Sequence, residues 1–282
     1  MKIAVIGATG VLGRHLIPRL VERGHDVRGS ARGAAGEAHV GGLGATPMRA
    51  DILDRASLDP VVAGCDAALH IATAIPAARG TGDWEINDRI RREGTANLLA
   101  ACAQAGVQRY LQQGIAMTLT AGDDRPQTEE DETVGAGRLA SSVDAEAQVR
   151  ASDLDWRILR GGSFYGPGTG HGAEWLEAAR KPGYAMPGDG SGFVSLIHIA
   201  DMAEAVAAAI ETERSRTIWN AVDDEPARMR DLATYVARLA GGPAPATGGS
   251  THLASFRVSN AKLKAELGWR PRYASYRSGL AG

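Results

Sequence analysis

The chain has 282 residues, 44% of them hydrophobic and 23% charged, with a formal net charge of -2 and a pI near 6.4. These values fit one large α/β domain, or a nucleotide-binding domain with a small appendage, and exclude a disordered or fibrous chain. Near-neutral charge gives no basic field for nucleic acid or a membrane surface, and two cysteines, Cys65 and Cys102, cannot build a disulfide scaffold or a Cys-based zinc site. No apolar run reaches a membrane span, and the apolar start at Ile3 stops at Gly7, too short for a secretory signal. The expectation is a cytoplasmic protein without metal.

Ile3–Ile6 reads as a short buried strand. Gly10 to Arg23 carries apolar residues at Val11, Leu12, Leu16, Ile17, Leu20 and Val21, a helical spacing that stops at Gly24. Strands follow at 26–31, 47–50 and 66–71, then a long helix from Asp83 to Ala105 that Gly106 stops. A strand at 110–113, a helix at 138–152 and a strand at 156–159 complete the alternation. The pattern predicts a Rossmann-type doubly wound parallel sheet over residues 1–160. Residues 161–282 read as a small C-terminal substrate region interleaved with that core. Within it, glycines and prolines at 168–192 mark a lid-like segment with one short helix at 173–180. A strand at 194–197, a helix at 199–211, a strand at 217–222 and helices at 229–240 and 260–267 follow. The acidic stretch Asp123–Glu132 reads as a solvated loop.

The strongest motif is Gly7-Ala8-Thr9-Gly10-Val11-Leu12-Gly13, set between a strand and an amphipathic helix. Gly7 permits a tight turn, Gly10 a close approach to a pyrophosphate, and Gly13 close packing of helix on sheet. The helix N-terminus then offers amides and a positive dipole to phosphates. At the end of the second strand an acid would mark NAD, but Arg28-Gly29-Ser30-Ala31-Arg32 holds none before Glu37. Arg32 and Ser30, with Arg28 as a further candidate, favour the 2′-phosphate of NADP(H) over NAD(H). Asp51 and Ile52 are placed for the adenine edge and ring. Ala72, Thr73 and Ala74 leave room where a cofactor passes.

Several further stretches carry a family resemblance. The glycine motif, Arg49-Ala50-Asp51-Ile52, Gly94-Thr95-Ala96-Asn97-Leu98-Leu99, Leu159-Arg160-Gly161-Gly162, Tyr165-Gly166-Pro167-Gly168, His198-Ile199-Ala200-Asp201 and Leu267-Gly268-Trp269-Arg270-Pro271 resemble the extended short-chain dehydrogenase/reductases, the NAD-dependent epimerase/dehydratase type. The resemblance spans nearly the whole chain. It implies a nicotinamide cofactor over the strand ends, with Gly161, Gly162, Ser163 and Phe164 near the nicotinamide. It also implies a serine, a tyrosine and a lysine four residues after it, in which tyrosine moves the proton, lysine lowers its pKa and serine positions the carbonyl. Here those positions align with Gly114, Arg138 and Ser142.

No alignment shift restores the pair. The chain has four lysines, Lys2, Lys181, Lys262 and Lys264, and no tyrosine between Tyr110 and Tyr165. Arginine does not release its proton at useful pH. With the pair missing, the sequence resembles the atypical ketoreductases of antibiotic tailoring. The resemblance implies NADPH-dependent reduction of an aromatic or polyketide ketone, with the proton supplied by the substrate or by water. Tyr165, Ser163 and His171 are the weak candidates for a substitute donor. Thr118, Tyr165, Trp175 and Tyr184, with Thr120, are candidate substrate contacts. His198 reads as a structural residue at a strand–helix junction, in the core or as a cap. A regulator that senses NADP(H) without turnover is the alternative, and a sugar epimerase or dehydratase the third. Oligomeric state stays open.

Overall fold

The computed structural model describes residues 1–76, 83–120, 125–250 and 254–281. In chain order the first elements are β1 (Lys2–Ile6), α1 (Val11–Glu22), β2 (Asp26–Ala31), α2 (Ala34–Gly42), β3 (Thr46–Arg49), α3 (Arg55–Val62) and β4 (Ala67–His70). Next come α4 (Glu85–Arg89), a π-turn at Ile90–Gly94, α5 (Thr95–Ala105), β5 (Arg109–Ile115), α6 (Ala140–Ala151) and β6 (Asp155–Gly161). The remainder is β7 (Ser163–Tyr165), α7 (Ala173–Ala179), β8 (Ala185–Pro187), β9 (Phe193–Val194), β10 (Leu196–His198), α8 (Ile199–Glu211), β11 (Thr217–Ala221), β12 (Ala227–Arg228), α9 (Met229–Ala240), β13 (Ala246–Gly249), α10 (Ala261–Leu267) and α11 (Tyr276–Leu280).

The main sheet has seven strands in the order β11-β6-β5-β4-β1-β2-β3, and the pairs from β5 to β3 run parallel. The crossover between β3 and β4 in this order is that of a Rossmann-type doubly wound fold. Two compact units make up the chain: Met1–Gly114, Val134–Leu159 and Ala203–Ile218 form the first, and Ile115–Thr133, Arg160–Met202 and Trp219–Gly282 the second.

In the first unit, α1 buries Leu12, Leu16, Ile17 and Leu20, the stripe its spacing predicts. Each such side chain contributes about 1.5–3 kcal/mol on burial. Cys65 and Cys102 are both free and both sit in the core beside α3 and α5. Burial pushes the Cys102 thiol up to about 12, so it stays protonated and inert.

The predicted helix from 83 to 105 exists with a defect: α4 and α5 are joined through the π-turn. Absent from the sequence reading are the helices α2, α3 and α11 and the short strands β7, β8, β12 and β13. Strand bounds at 26–31 and helix bounds at 199–211 and 229–240 match the observed ones.

The second unit is held by short pairings between distant segments. β7 pairs with β10 in parallel, β9 with β12 antiparallel, and β8 with β13 in parallel. Its core gathers Tyr165, Val194, Leu196, Val222, Phe256, Val258 and Tyr276. The acidic stretch is not simply solvated. Asp123 and Asp124 lie outside the described residues, but Gln127 is buried and bridges Val258, and Glu129 Oε1 accepts the Asn220 amide at 2.7 Å. Burial raises the pKa of the Glu129 carboxyl.

Candidate functional site

The glycine turn of the first unit is shaped by steric necessity. Gly7 has φ +101°, and a Cβ there would stand 2.6 Å from the Ala72 nitrogen, so only glycine fits both the conformation and the approach of β1 to β4. A Cβ on Gly13 would collide with the Ala8 carbonyl, which is why the first turn of α1 can sit so close behind β1. The Gly10 amide donates to the Gly7 carbonyl at 3.0 Å, and the Arg14 amide to the Gly10 carbonyl at 3.1 Å. Gly10 brings no side chain, so α1 starts without a side-chain cap from its N-cap residue. That arrangement fits a pyrophosphate: a positive helix end behind a turn without side-chain bulk. Thr9 stands in the same turn, where its carbonyl accepts Arg14 Nε at 3.4 Å.

The end of β2 sorts its arginines into different tasks. Arg28 Nη1 donates to the carbonyls of Pro60, Val61 and Ala63 at 3.1, 3.2 and 2.8 Å. It therefore caps the C-terminus of α3, which removes it from the phosphate-binding candidates. Ser30 is buried, and its hydroxyl accepts the Gly7 amide at 3.2 Å. Ser30 thus braces the glycine turn from within the sheet. Arg32 is exposed just beyond the strand, beside the N-terminus of α2, whose cap residue Gly33 has no side chain. Glu37 is held in a two-bond pair with Arg49, both contacts at 2.8 Å, and that guanidinium lowers the pKa of its carboxyl. Sequence reading missed this pair. The nearest acid to the strand end is therefore already matched by a cation.

Asp51 and Ile52 follow β3 in a fixed loop. Asp51 Oδ1 accepts the Leu53 amide at 3.0 Å, and the Asp51 amide donates to Ser57 Oγ at 3.0 Å. Ile52 is buried, its carbonyl takes Asn97 Nδ2 at 3.0 Å, and Gly94 lets it pack on the π-turn. Ala72 backs Gly7, Thr73 follows it, and the Ala74 amide donates to Asn87 Oδ1 at 3.1 Å. Asn87 is fully buried, so it fixes this stretch of backbone. The only sequence signal for it is an asparagine inside an otherwise amphipathic helix.

The positions that the resemblance assigns to the catalytic triad hold other chemistry. Gly114 is buried at the end of β5. Arg138 lies with its guanidinium 5.6 Å from the Trp84 ring centroid, and its carbonyl accepts Arg91 Nη1 at 3.4 Å. Ser142 is buried on α6. Next to it, Ser141 Oγ donates to Asp88 Oδ1 at 2.7 Å and accepts Arg91 Nη1 at 3.4 Å. Arg91 is buried as well, which lowers its pKa to about 10 and still leaves it charged at neutral pH. At the three triad positions, then, Gly114 has no side chain, and neither the Arg138 guanidinium nor the Ser142 hydroxyl exchanges a proton at neutral pH. His70, at the end of β4, is fully buried, and burial lowers its pKa to about 4.

In the second unit, Gly161 and Gly162 are needed for packing. A Cβ on Gly162 would stand 2.7 Å from the Ser195 carbonyl oxygen, and one on Gly161 would stand 2.9 Å from the Phe164 ring. Ser163 and Phe164 are half-buried on β7. Tyr165 is fully buried, and its hydroxyl donates to the Ser275 carbonyl at 3.2 Å. Burial and the neighbouring Asp223 push its pKa up. These facts remove Tyr165 both as proton donor and as substrate contact. Thr118 is buried with its hydroxyl donated to the Ile115 carbonyl at 2.7 Å, and Thr120 repeats this toward Met117 at 2.7 Å. Their hydroxyls serve the turn after β5, contrary to the pocket-lining expectation. His198 is buried, and its Nδ1 accepts the Ala200 amide at 3.2 Å, the capping role expected of it.

The 168–192 segment is ordered by its own contacts. His171 donates from Nδ1 to the Phe164 carbonyl at 2.6 Å and stacks on Trp175 at 4.8 Å. Trp175 and Tyr184 pack toward α9. Among the described residues no group of three or more histidines, cysteines or carboxylates is placed to hold a metal ion, and no helix is long and apolar enough to cross a membrane.

Comparison with known proteins places this arrangement. Residues 3–221 match the model of the NAD dependent epimerase/dehydratase family. A 3-diazoavenalumate denitrifying reductase of a Streptomyces species is 31% identical over 99% of this chain and 99% of its own. A 4-hydroxy-2-methyl-3-oxo-4-farnesyl-3,4-dihydroquinoline-1-oxide ketoreductase of Stigmatella aurantiaca is 28% identical over 86% of this chain and 74% of its own. Among solved structures, the dTDP-glucose 4,6-dehydratase DesIV of Streptomyces venezuelae, with NAD and TYD bound, has a TM-score of 0.85 at 22% identity, covering 100% of this chain and 95% of that one. The UDP-glucose 4-epimerase of Thermus thermophilus, in complex with NAD, has a TM-score of 0.83 at 24% identity, covering 99% and 96%. At those identities the structural likeness speaks for the fold alone.

Proposed function

The chain belongs to the NAD dependent epimerase/dehydratase family and is an NAD(P)H-dependent oxidoreductase, and we propose that within the family it is an NADPH-dependent ketoreductase of aromatic polyketide-type substrates that works without the tyrosine–lysine pair. One observation carries the reading. The dinucleotide turn is built to its steric limit at Gly7 and Gly13, while the triad positions hold Gly114, Arg138 and Ser142.

When bound, a nicotinamide cofactor would supply the hydride for ketone reduction. The chain's own residues bind and orient. The α1 N-terminus would hold the pyrophosphate, Arg32 and the α2 N-terminus would hold the 2′-phosphate, and Asp51 and Ile52 would border the adenine. Arg49 neutralises Glu37, so no unmatched carboxylate repels a phosphate there. Ala72, Thr73 and Ala74, the last pinned through Asn87, leave room for the cofactor beside the glycine turn.

Without a positioned acid, a reductase forgoes about 10²–10⁴ in rate. Holding cofactor and ketone in near-attack geometry recovers up to roughly 7–11 kcal/mol. A ketone already hydrogen-bonded to its own neighbouring hydroxyl carries its proton source with it. This selects aromatic polyketides over simple ketones. The relatives named as reductases and ketoreductases support the chemistry.

The test is NADPH oxidation with polycyclic ketones that carry or lack an adjacent hydroxyl. Reduction restricted to the hydroxylated set supports the proposal. Nucleotide binding with no turnover on any ketone overturns it in favour of an NADP(H)-sensing regulator.

A further inference from the structure

We propose that Arg91 supplies, beside the triad positions of the first unit, the positive charge that the absent lysine would carry, and so stabilises the anion left when the substrate's own hydroxyl gives up its proton. The proposal rests on the reductase reading and deepens it. In the family pattern a lysine lowers the pKa of a phenol that belongs to the protein. Here the phenol belongs to the substrate, and the charge arrives from another element.

The π-turn sorts two consecutive arginines. Arg92 faces outward, its side chain 42% exposed, and its Nε donates to Asp144 at 2.6 Å. Arg91 turns inward and is 7% exposed. Its Nη1 donates to the Arg138 carbonyl and to Ser141 Oγ, both at 3.4 Å. It therefore lies against the segment that leads into α6, which carries two of the three triad positions, Arg138 and Ser142.

Both contacts are long, and neither acceptor is charged. Asp88 is the carboxylate whose charge reaches Arg91, but its Oδ1 already accepts Ser141 Oγ at 2.7 Å. A buried guanidinium without a close carboxylate is costly, and an anion formed beside it offsets that cost. The other charged groups around the π-turn are matched elsewhere. Arg89 pairs with Glu93 at 2.9 Å, Asp144 with Arg92, and Glu146, buried on α6, has a partner of its own. The Arg138 guanidinium is turned onto the Trp84 ring, and α5 brings no charged side chain. His70 is held neutral at the end of β4: burial lowers its pKa to about 4, and the Arg91 charge adds to that effect. The field of Arg91 thus extends to the end of β4.

The proton step balances within substrate and solvent. The O–H bond of the hydroxyl breaks, its proton passes to the reduced carbonyl oxygen, and the electron pair stays behind as a phenolate. Water then returns a proton and leaves hydroxide to the solvent. A cation within about 4–6 Å lowers the pKa of such an acid by about 1–3 pH units. Arginine suits this task because it keeps its charge throughout.

The experiment reads the charge through a phenol. The probe is 5-hydroxy-1,4-naphthoquinone, a bicyclic ketone hydrogen-bonded to its own hydroxyl, whose phenolate is coloured. Its absorbance is titrated between pH 6 and 9 on the protein saturated with NADP⁺, which has no hydride to give, and again without nucleotide. The expected result is saturable binding, with the bound probe ionising at least tenfold more readily than the free one, a midpoint lower by about one pH unit or more. Arg91→Lys should keep the shift, Arg91→Met should abolish it, and Arg92→Met, at the outward neighbour, should leave it unchanged. Should Arg91→Met fail to fold, the wild type without nucleotide decides, since no nicotinamide charge is then present. Absent binding, a bound midpoint at or above that of the free probe, or equal midpoints in wild type and Arg91→Met would overturn the proposal. NADPH oxidation judges the reductase reading separately: a wild type that reduces polycyclic ketones without an Arg91-dependent shift loses the role of Arg91 alone.

Discussion

Replacing Gly7 by alanine tests the claim that the dinucleotide turn is set by steric contact. Alanine at φ +101° costs about 1–2 kcal/mol in backbone conformation. The added Cβ would also stand 2.6 Å from the Ala72 nitrogen and 2.7 Å from its Cα. Comfortable carbon contacts are about 3.5–4.0 Å. The ends of β1 and β4 must therefore part, at an overpacking cost of roughly 1–3 kcal/mol. The sum is roughly 2–5 kcal/mol. Gly24 provides the internal control, since it has φ +80° and nothing within 4 Å of a Cβ. Gly24→Ala should carry only the conformational part, about 1–2 kcal/mol. At about 2–4 °C per kcal/mol, the two variants separate in thermal unfolding without nucleotide. NADPH titration by fluorescence should then show binding unchanged in Gly24→Ala and weakened at least tenfold in Gly7→Ala. Equal unfolding temperatures and equal affinities for the two variants would refute the argument.

The arginines of β2 separate in the same way. Arg32→Ala should weaken NADPH binding by about 10- to 150-fold, the worth of about 1.5–3 kcal/mol of charged hydrogen bonding, and leave NADH binding alone. Arg28→Ala should lower the unfolding temperature and leave the NADPH-to-NADH ratio unchanged, because its guanidinium serves the end of α3. Titrating both variants with both nucleotides decides this, and a ratio that follows Arg28 contradicts it. Tyr165→Phe should cost about 0.5–1.5 kcal/mol of stability through its lost bond to Ser275, with turnover retained. A collapse of turnover in a folded Tyr165→Phe protein would return the phenol to the chemistry. Asp223 is buried, and burial raises its folded pKa well above the unfolded 3.8. Its contribution is fully present below about pH 4 and is lost as pH rises toward the raised value. Asp223→Asn should therefore raise the unfolding temperature at pH 7–8 and lose that advantage toward pH 4. An identical pH slope in wild type and variant would count against the buried acid.

The cofactor half of the protein was legible because it is local. A strand, three spaced glycines and an amphipathic helix are contiguous, and the stripe from Leu12 to Leu20 is buried as its period requires. Three helices escaped notice, α2, α3 and α11, and the first two did so for local reasons. The 34–42 helix carries three glycines and buries only Val40, and the 55–62 helix contains Pro60. A π-turn leaves no mark on apolar spacing, so α4 and α5 read as one helix. The second unit was harder because its pairings, such as 163–165 with 196–198, join two or three residues across long separations. Tyr165 shows what sequence cannot reveal. A phenol near the right motif looks reactive until the chain from Ser275 closes over it. The absence of the tyrosine–lysine pair, by contrast, is a matter of composition and needed no structure.

The central claim is reduction by NADPH without a positioned protein acid. It is tested most directly by single-turnover reduction of a hydroxyl-bearing polycyclic ketone, comparing that substrate with its O-methyl ether. The account predicts hydride transfer to the free hydroxyl substrate and a fall of about 10²–10⁴ with the ether, which cannot donate its proton. Equal rates for the two, in a protein that binds both, would contradict it and point to a proton donor within the chain.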